Sequence, residues 1–154
     1  MIPVLVVGYG NPLRADDGAG RLAAQALESV WPETEVRVES SHQLLVESAA
    51  SLAEAEFAVF IDADRELAPG MVAQRPVYPE AAQSDSLTHR LTPGTVLAAA
   101  RLWYGRAPEA VLVSIGGGDF GHGEELSPRV KSALPGLIER VHALVAARLE
   151  ETHA

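Results

Sequence analysis

The side chains of this 154-residue chain with the greatest capacity for chemistry are acids and histidines that stand where apolar runs stop. Asp16 and Asp17 sit side by side a few residues after the run 4–7, behind Gly8 and Gly10. Asp62 and Asp64 close the run 57–61. His42 follows the run 36–39, and His89 lies in a polar stretch just ahead of Thr92 and Pro93. Carboxylate and imidazole together suit a divalent transition metal such as nickel or zinc, with positions left open for water or substrate. Taken singly, each residue also has a structural use. One of the paired acids can cap a helix, Asp62 can accept from backbone amides at a strand end, and His89 can stand on a surface loop. Convergence, not identity, is what would make a site of them.

The elements around these residues supply that convergence. Residues 4–7, 57–61 and 110–115 are continuous aliphatic runs, as strands buried on both faces require. Residues 36–39 alternate and read as a further strand. Residues 71–77 are interrupted by Pro76, which suits an edge strand, expected to run antiparallel. Between the strands, apolar residues recur at helical spacing. Leu22, Ala23, Ala26, Leu27 and Val30 predict the inner face of a first helix. Leu45, Ala49, Leu52 and Ala53 predict a second that starts at His42 and Gln43. Val96, Leu97, Ala100 and Trp103 predict a third, with Thr92 as N-cap and Pro93 in its first turn. Ser127 and Pro128 open a closing helix with Val130, Leu134, Leu137, Ile138, Val141, Leu144 and Val145 on its apolar face, where Pro135 predicts a kink or a new first turn.

Strand–helix alternation of this kind predicts an α/β fold: a three-layer α/β/α sandwich around a mostly parallel five-stranded sheet with one antiparallel edge strand, spanning 1–154 as one domain. Parallel sheets bring the carboxyl ends of their strands together, and ligands bind at that edge. Asp16, Asp17, His42, Asp62 and the glycines 116–118 all follow strands there, and the connection bearing His89 can fold over it. His122, His142 and His153 read as peripheral or solvated.

Composition removes several classes. A net charge of −9 argues against a nucleic-acid role. No apolar run reaches the roughly 18 residues of a membrane span, and the chain enters its first strand without a secretory leader pattern, so the expected location is cytoplasmic. With no cysteine, thiolate metal sites, disulfides and cysteine nucleophiles are absent. A dinucleotide fingerprint needs glycine where Leu13 stands, and the acid pair would repel a pyrophosphate. A nucleotide-binding regulator is therefore disfavoured. Ser41 beside His42 is no serine-hydrolase site, since no nucleophile elbow is present.

The stretch Gly8-Tyr9-Gly10-Asn11-Pro12-Leu13, followed by Asp16-Asp17-Gly18-Ala19-Gly20, resembles the opening motif of the hydrogenase maturation endopeptidases. The likeness continues through Ile61-Asp62-Ala63, the His89 segment, Ser114-Ile115-Gly116-Gly117 and Leu126-Ser127-Pro128. The resemblance implies removal of a C-terminal extension from a [NiFe] hydrogenase large-subunit precursor once nickel has been inserted, that precursor being a transient partner. It places nickel contact and catalysis on Asp17, Asp62 and His89. Family members often carry Glu where Asp17 stands. Asp16 becomes the helix-capping acid, with Gly10, Asn11, His42, Gly116 and Gly117 in support. The nickel belongs to the substrate, so no permanently bound cofactor is expected, and the protein is expected to be a monomer. The alternative is a chaperone that captures a metal or metalloprotein without cutting it.

Overall fold

The computed structural model describes residues 1–81 and 91–154. Five strands form one sheet: β1 (Ile2–Tyr9), β2 (Val36–Ser41), β3 (Ala55–Asp64), β4 (Val72–Val77) and β5 (Glu109–Gly116), in the spatial order β2-β1-β3-β5-β4. The first three pairings along that order are parallel, and β4 runs antiparallel to β5 at the edge. Among the described residues, four α-helices accompany them: α1 (Ala19–Leu27), α2 (Ser48–Ala53), α3 (Pro93–Tyr104) and α4 (Pro128–His153). The expected α/β architecture and the antiparallel edge are thus both present. Pro76 sits in β4, an edge strand, where a residue without an N–H is tolerated.

Strand alternation divides the core in two. Val4, Val6, Val59, Ile61, Val113 and Ile115 face α1 and α4. Leu5, Val7, Ala58, Phe60, Ala110 and Leu112 face α2 and α3. Continuing the second set by one step of two residues along β1, β3 and β5 reaches Tyr9, Asp62 and Ser114, at the carboxyl ends of three adjacent strands. β1 has β2 on one side and β3 on the other, so the chain reverses its direction of travel across the sheet there. That is the switch point at which open α/β sheets form a crevice.

Several local expectations are corrected. α1 buries Ala19, Gly20, Ala23, Ala24 and Leu27, whereas Leu22 and Val30 are exposed. The inner face is made of small residues because α1 lies hard against the sheet. A Cβ on Gly20 would come within 2.7 Å of the Tyr9 carbonyl oxygen and 2.9 Å of the Asp62 Cα. α2 begins at Ser48, not at His42, and Leu44 fills the core while Leu45 is exposed. On α3, Thr92 and Thr95 form a reciprocal capping box, as the Thr92 cap implied, but Trp103 is solvent-facing along with Leu102 and Tyr104. α4 is continuous through Pro135, which therefore does not open a new first turn.

Candidate functional site

A cleft of about 1010 Å³ opens at the switch point. Its lining comes from the end of β1 and the loop beyond it (Tyr9, Asn11, Arg14, Asp17), from the end of β2 and the segment after it (Ser41, His42, Leu44), from Asp62 on β3, from Arg75 on β4, and from Thr92 and Pro93 at the start of α3. The loop after β1 is tightly specified. Gly10 has φ +153°, and a Cβ there would overlap the Asp17 carbonyl, so glycine is required. The Gly10 amide donates to the Ser41 carbonyl at 3.1 Å, tying the loop to the end of β2. Asn11 accepts from the Leu13 amide at 2.9 Å through its side chain, and its own amide donates to Asp17 Oδ2 at 2.8 Å. Asp17 is thereby aimed back across the loop, half-buried, at the cleft.

Asp16 points the other way. It is completely buried, and its carboxylate accepts from the amides of Gly118 (2.9 Å), Asp119 (2.9 Å) and Ser127 (2.7 Å) and from the Ser127 hydroxyl (2.8 Å). Burial opposes its ionisation, but the bonds from Ser127, Gly118 and Asp119 outweigh that and hold its pKa below the ordinary value. The expectation that Asp16 caps the helix that follows it is corrected: α1 has no side-chain cap. Asp16 instead fastens the loop after β5 to the start of α4. The residue before it, Ala15, takes φ +51°, a conformation unusual for a side chain with a Cβ. The same loop is strapped down by Arg14, whose Nε and Nη2 donate to the Phe120 carbonyl at 3.2 and 3.1 Å, and by the Ala15 amide, which donates to the Gly123 carbonyl at 2.8 Å.

Asp62 is held differently. Ser114 Oγ donates to its Oδ1 at 2.6 Å and the Tyr9 hydroxyl donates to its Oδ2 at 3.2 Å. Burial raises its pKa to about 6; the two hydroxyl bonds and the Arg75 charge pull the other way, and Asp64 adds to the rise. Burial and the adjacent Asp62 push the Tyr9 phenol well above its usual value, so the phenol stays protonated and donates.

The cleft thus unites Asp17, Asp62, His42, Gly10 and Asn11 from among the residues singled out by sequence. It does not include Asp16, Gly116 or Gly117. Gly117 packs on the Asp16 side, where a Cβ would lie 3.1 Å from the Asp16 Cβ, and Gly116 packs against the backbone of Leu67 and Ala68. Asp64 turns its carboxylate to the Glu66 amide at 2.8 Å. His89 lies outside the described residues. Among the described residues, no three His, Cys, Asp or Glu side chains are grouped to hold a metal ion, so the proposed trio has two members in view, Asp17 and Asp62. His142 and His153 are exposed, as expected, the first with its ring 5.0 Å from that of Trp31 and the second 2.6 Å from Glu35. Tyr9, Ser114 and Arg75 were not singled out by sequence reasoning. Tyr9 and Ser114 could have been found by aligning the strand runs at Asp62 and stepping two residues at a time along one face.

No protein-family model matches the chain, and no curated protein sequence matches it. Solved structures do. The hydrogenase maturating endopeptidase HybD of Escherichia coli is similar at a TM-score of 0.74 and 22% identity, covering 95% of this chain and 93% of that one. The [NiFe] hydrogenase maturation protease HycI of Thermococcus kodakarensis gives 0.74 and 22%, covering 94% and 92%. The maturation protease HybD of the same organism gives 0.69 and 24%, covering 94% and 99%. The chain therefore has the α/β fold of the hydrogenase maturation proteases over almost its whole length. Among the described residues, no helix is long and apolar enough to cross a membrane.

Proposed function

We propose that this protein is a hydrogenase maturation endopeptidase, which removes a C-terminal extension from a [NiFe] hydrogenase large-subunit precursor after nickel insertion. The observation that carries the reading is that Asp17 and Asp62, from different strand ends, line one cleft in a chain whose fold matches solved maturation proteases. His89 completes the set by motif resemblance, two residues ahead of Leu91, which also lines the cleft. Asp17, Asp62 and His89 hold the nickel of the substrate, which marks the precursor as ready to be cut.

The chain's own groups then have defined tasks. The cleft accepts an extended peptide and holds it in register, converting encounter with water into a positioned reaction. With a pKa near 6, Asp62 is ionised at neutral pH and available as a ligand or as an acceptor for a water proton. Hydrolysis adds water across one peptide bond, and no covalent enzyme intermediate is required.

The test is a cleavage assay on a large-subunit precursor with and without inserted nickel, read by intact mass. Loss of a C-terminal peptide from the nickel-loaded form alone is the expected outcome. A stable complex that is never cut would replace the protease with the chaperone reading. Asp17→Ala and His89→Ala are expected to lower cleavage at least a hundredfold, consistent with loss of a group that acts on the reacting centre, while leaving the fold intact. Association with the nickel-loaded precursor should weaken as pH falls from about 8 to about 5, because imidazole must be neutral and the Asp62 carboxylate, with its pKa raised to about 6, ionised to bind metal. Affinity that stays level over that span would remove His89 from the ligand set.

A further inference from the structure

Tyr9, Asp62 and Ser114 form a row across β1, β3 and β5, one residue from each of three adjacent central strands. Asp62 and Ser114 are register partners, and the pair next to Tyr9 and Asp62 is Gly8 with Ile61. All three side chains fall on the face that carries α2 and α3, just beyond Val7, Phe60 and Leu112. Ser114 is buried and does not line the cleft; Tyr9 and Asp62 do. Each oxygen of the Asp62 carboxylate accepts one hydroxyl, from Ser114 on Oδ1 and Tyr9 on Oδ2. An ionised carboxyl group offers about four lone-pair positions, so roughly two remain for a ligand. The terminal torsion of aspartate is otherwise broad and roughly two-fold. Two hydroxyls on opposite oxygens fix it.

We propose that Tyr9 and Ser114 are positioning residues, which lock the plane of the Asp62 carboxylate so that its remaining lone pairs meet the ligand in the cleft. The proposal rests on the protease reading and adds to it two residues that act through Asp62. Tyr9 works from the cleft side and Ser114 from beneath. Both are anchored to rigid central strands instead of loops, which is the arrangement a precise site needs. A purely structural role is the competing explanation: the hydroxyls would then only satisfy buried polar atoms, and their loss would register as instability.

Tyr9→Phe and Ser114→Ala each delete one hydroxyl and little else. In the precursor cleavage assay each is expected to lower kcat by about 10–100-fold, the range for partners that orient a ligand. Because Asp62 also meets the bound ligand, capture of the nickel-loaded precursor should weaken alongside. Ser114→Thr, which keeps the hydroxyl, should recover most of the lost rate. Wild-type rates in both hydroxyl deletions would overturn the proposal, as would losses that merely follow the melting temperature or fail to be rescued by Ser114→Thr. Capture of the nickel-loaded precursor, measured on the same samples, separates the two readings. If the wild type captures but never cuts, the protease reading fails. Weaker capture by both variants then still supports the row, and unchanged capture overturns it. A wild type that neither cuts nor captures overturns both.

Discussion

Asp16 and Asp17 are neighbours in sequence and serve unrelated ends, and the difference is set by what their carboxylates accept. Asp17 takes one local amide and faces the cleft, whereas Asp16 takes four donors from the far end of the chain. That one acid of the pair would be consumed structurally was readable from the sequence. What it would fasten was not, because its donors lie 102 to 111 residues away and carry no local signal. Asp16→Ala strands three amides and a hydroxyl in a buried site and should cost about 3 kcal/mol or more at pH 7, seen as a lower urea midpoint. Because the folded pKa of Asp16 is depressed, its ionised form stabilises above the unfolded value of about 3.9, and that contribution is lost as pH falls through the folded value. The gap between wild type and variant should therefore narrow in acid. Asp62 has the opposite sign. Its folded pKa of about 6 exceeds the unfolded value of about 3.9, so the native state holds an extra proton in between, and stability is lost as pH rises across that window. Asp62→Asn removes the penalty and should raise stability on the order of 2 kcal/mol at pH 7, discounted for partial exposure, with no such gain below about pH 4. Melting curves at both pH values check this. A gap that does not widen toward neutrality would mean that Asp62 is not destabilising as an ion. Cleavage lost where stability is gained is the expected trade at a working site.

At the scale of elements, the strands were legible because runs buried on both faces are continuous and leave little choice of type. The helices were legible in existence and less so in orientation. Leu22, Leu45 and Trp103 look like core residues by hydrophobicity and are exposed: α1 meets the sheet through Ala19, Gly20, Ala23, Ala24 and Leu27, α2 begins only at Ser48, after Leu45, and α3 buries Val96, Leu97 and Ala100 but not its last turn. Hydrophobic spacing reports which residues could be inside, while the distance between layers decides which are. Gly20 tests this directly. Gly20→Ala drives a methyl group into the Tyr9 carbonyl and the Asp62 Cα, and should cost about 1–3 kcal/mol by overpacking while also displacing two elements of the cleft. The contrast is Gly136 in α4, where a Cβ would meet nothing within 4 Å. Gly136→Ala should stabilise by up to about 1 kcal/mol, purely through helix propensity. Guanidinium midpoints for the two variants should move in opposite directions. If the Gly20→Ala midpoint does not fall, close approach is not what selects glycine at position 20.

The molecule as a whole carries its excess acid over a surface with few compensating pairs. Among the described residues, the ion pairs are Arg37–Glu54 and Arg148 with Glu109 and Glu151, joined by the His153–Glu35 contact when that histidine is protonated, and each has at least one well-exposed partner. Exposed pairs contribute about 0–1 kcal/mol each, so they do little to offset the mutual repulsion of a net −9. This balance was readable from composition, but the cleft's mixture of signs was not: Arg14 and Arg75 come to the acids from β1's loop and from the edge strand, which only the tertiary arrangement brings together. Screening length falls from about 30 Å at 0.01 M salt to about 8 Å at 0.15 M. Over that span, repulsion between distant carboxylates fades while contacts at hydrogen-bond distance persist. The melting temperature at pH 7 should therefore rise by a few degrees between 0.01 M and 0.15 M sodium chloride, the size expected from roughly 1 kcal/mol in a domain of this length. The rise should vanish near pH 4.9, the isoelectric point, where there is no net charge to screen. A melting temperature that falls with salt at pH 7 would mean that attractive pairs outweigh the repulsion, and that the acidic surface is organised into networks and not spread against itself.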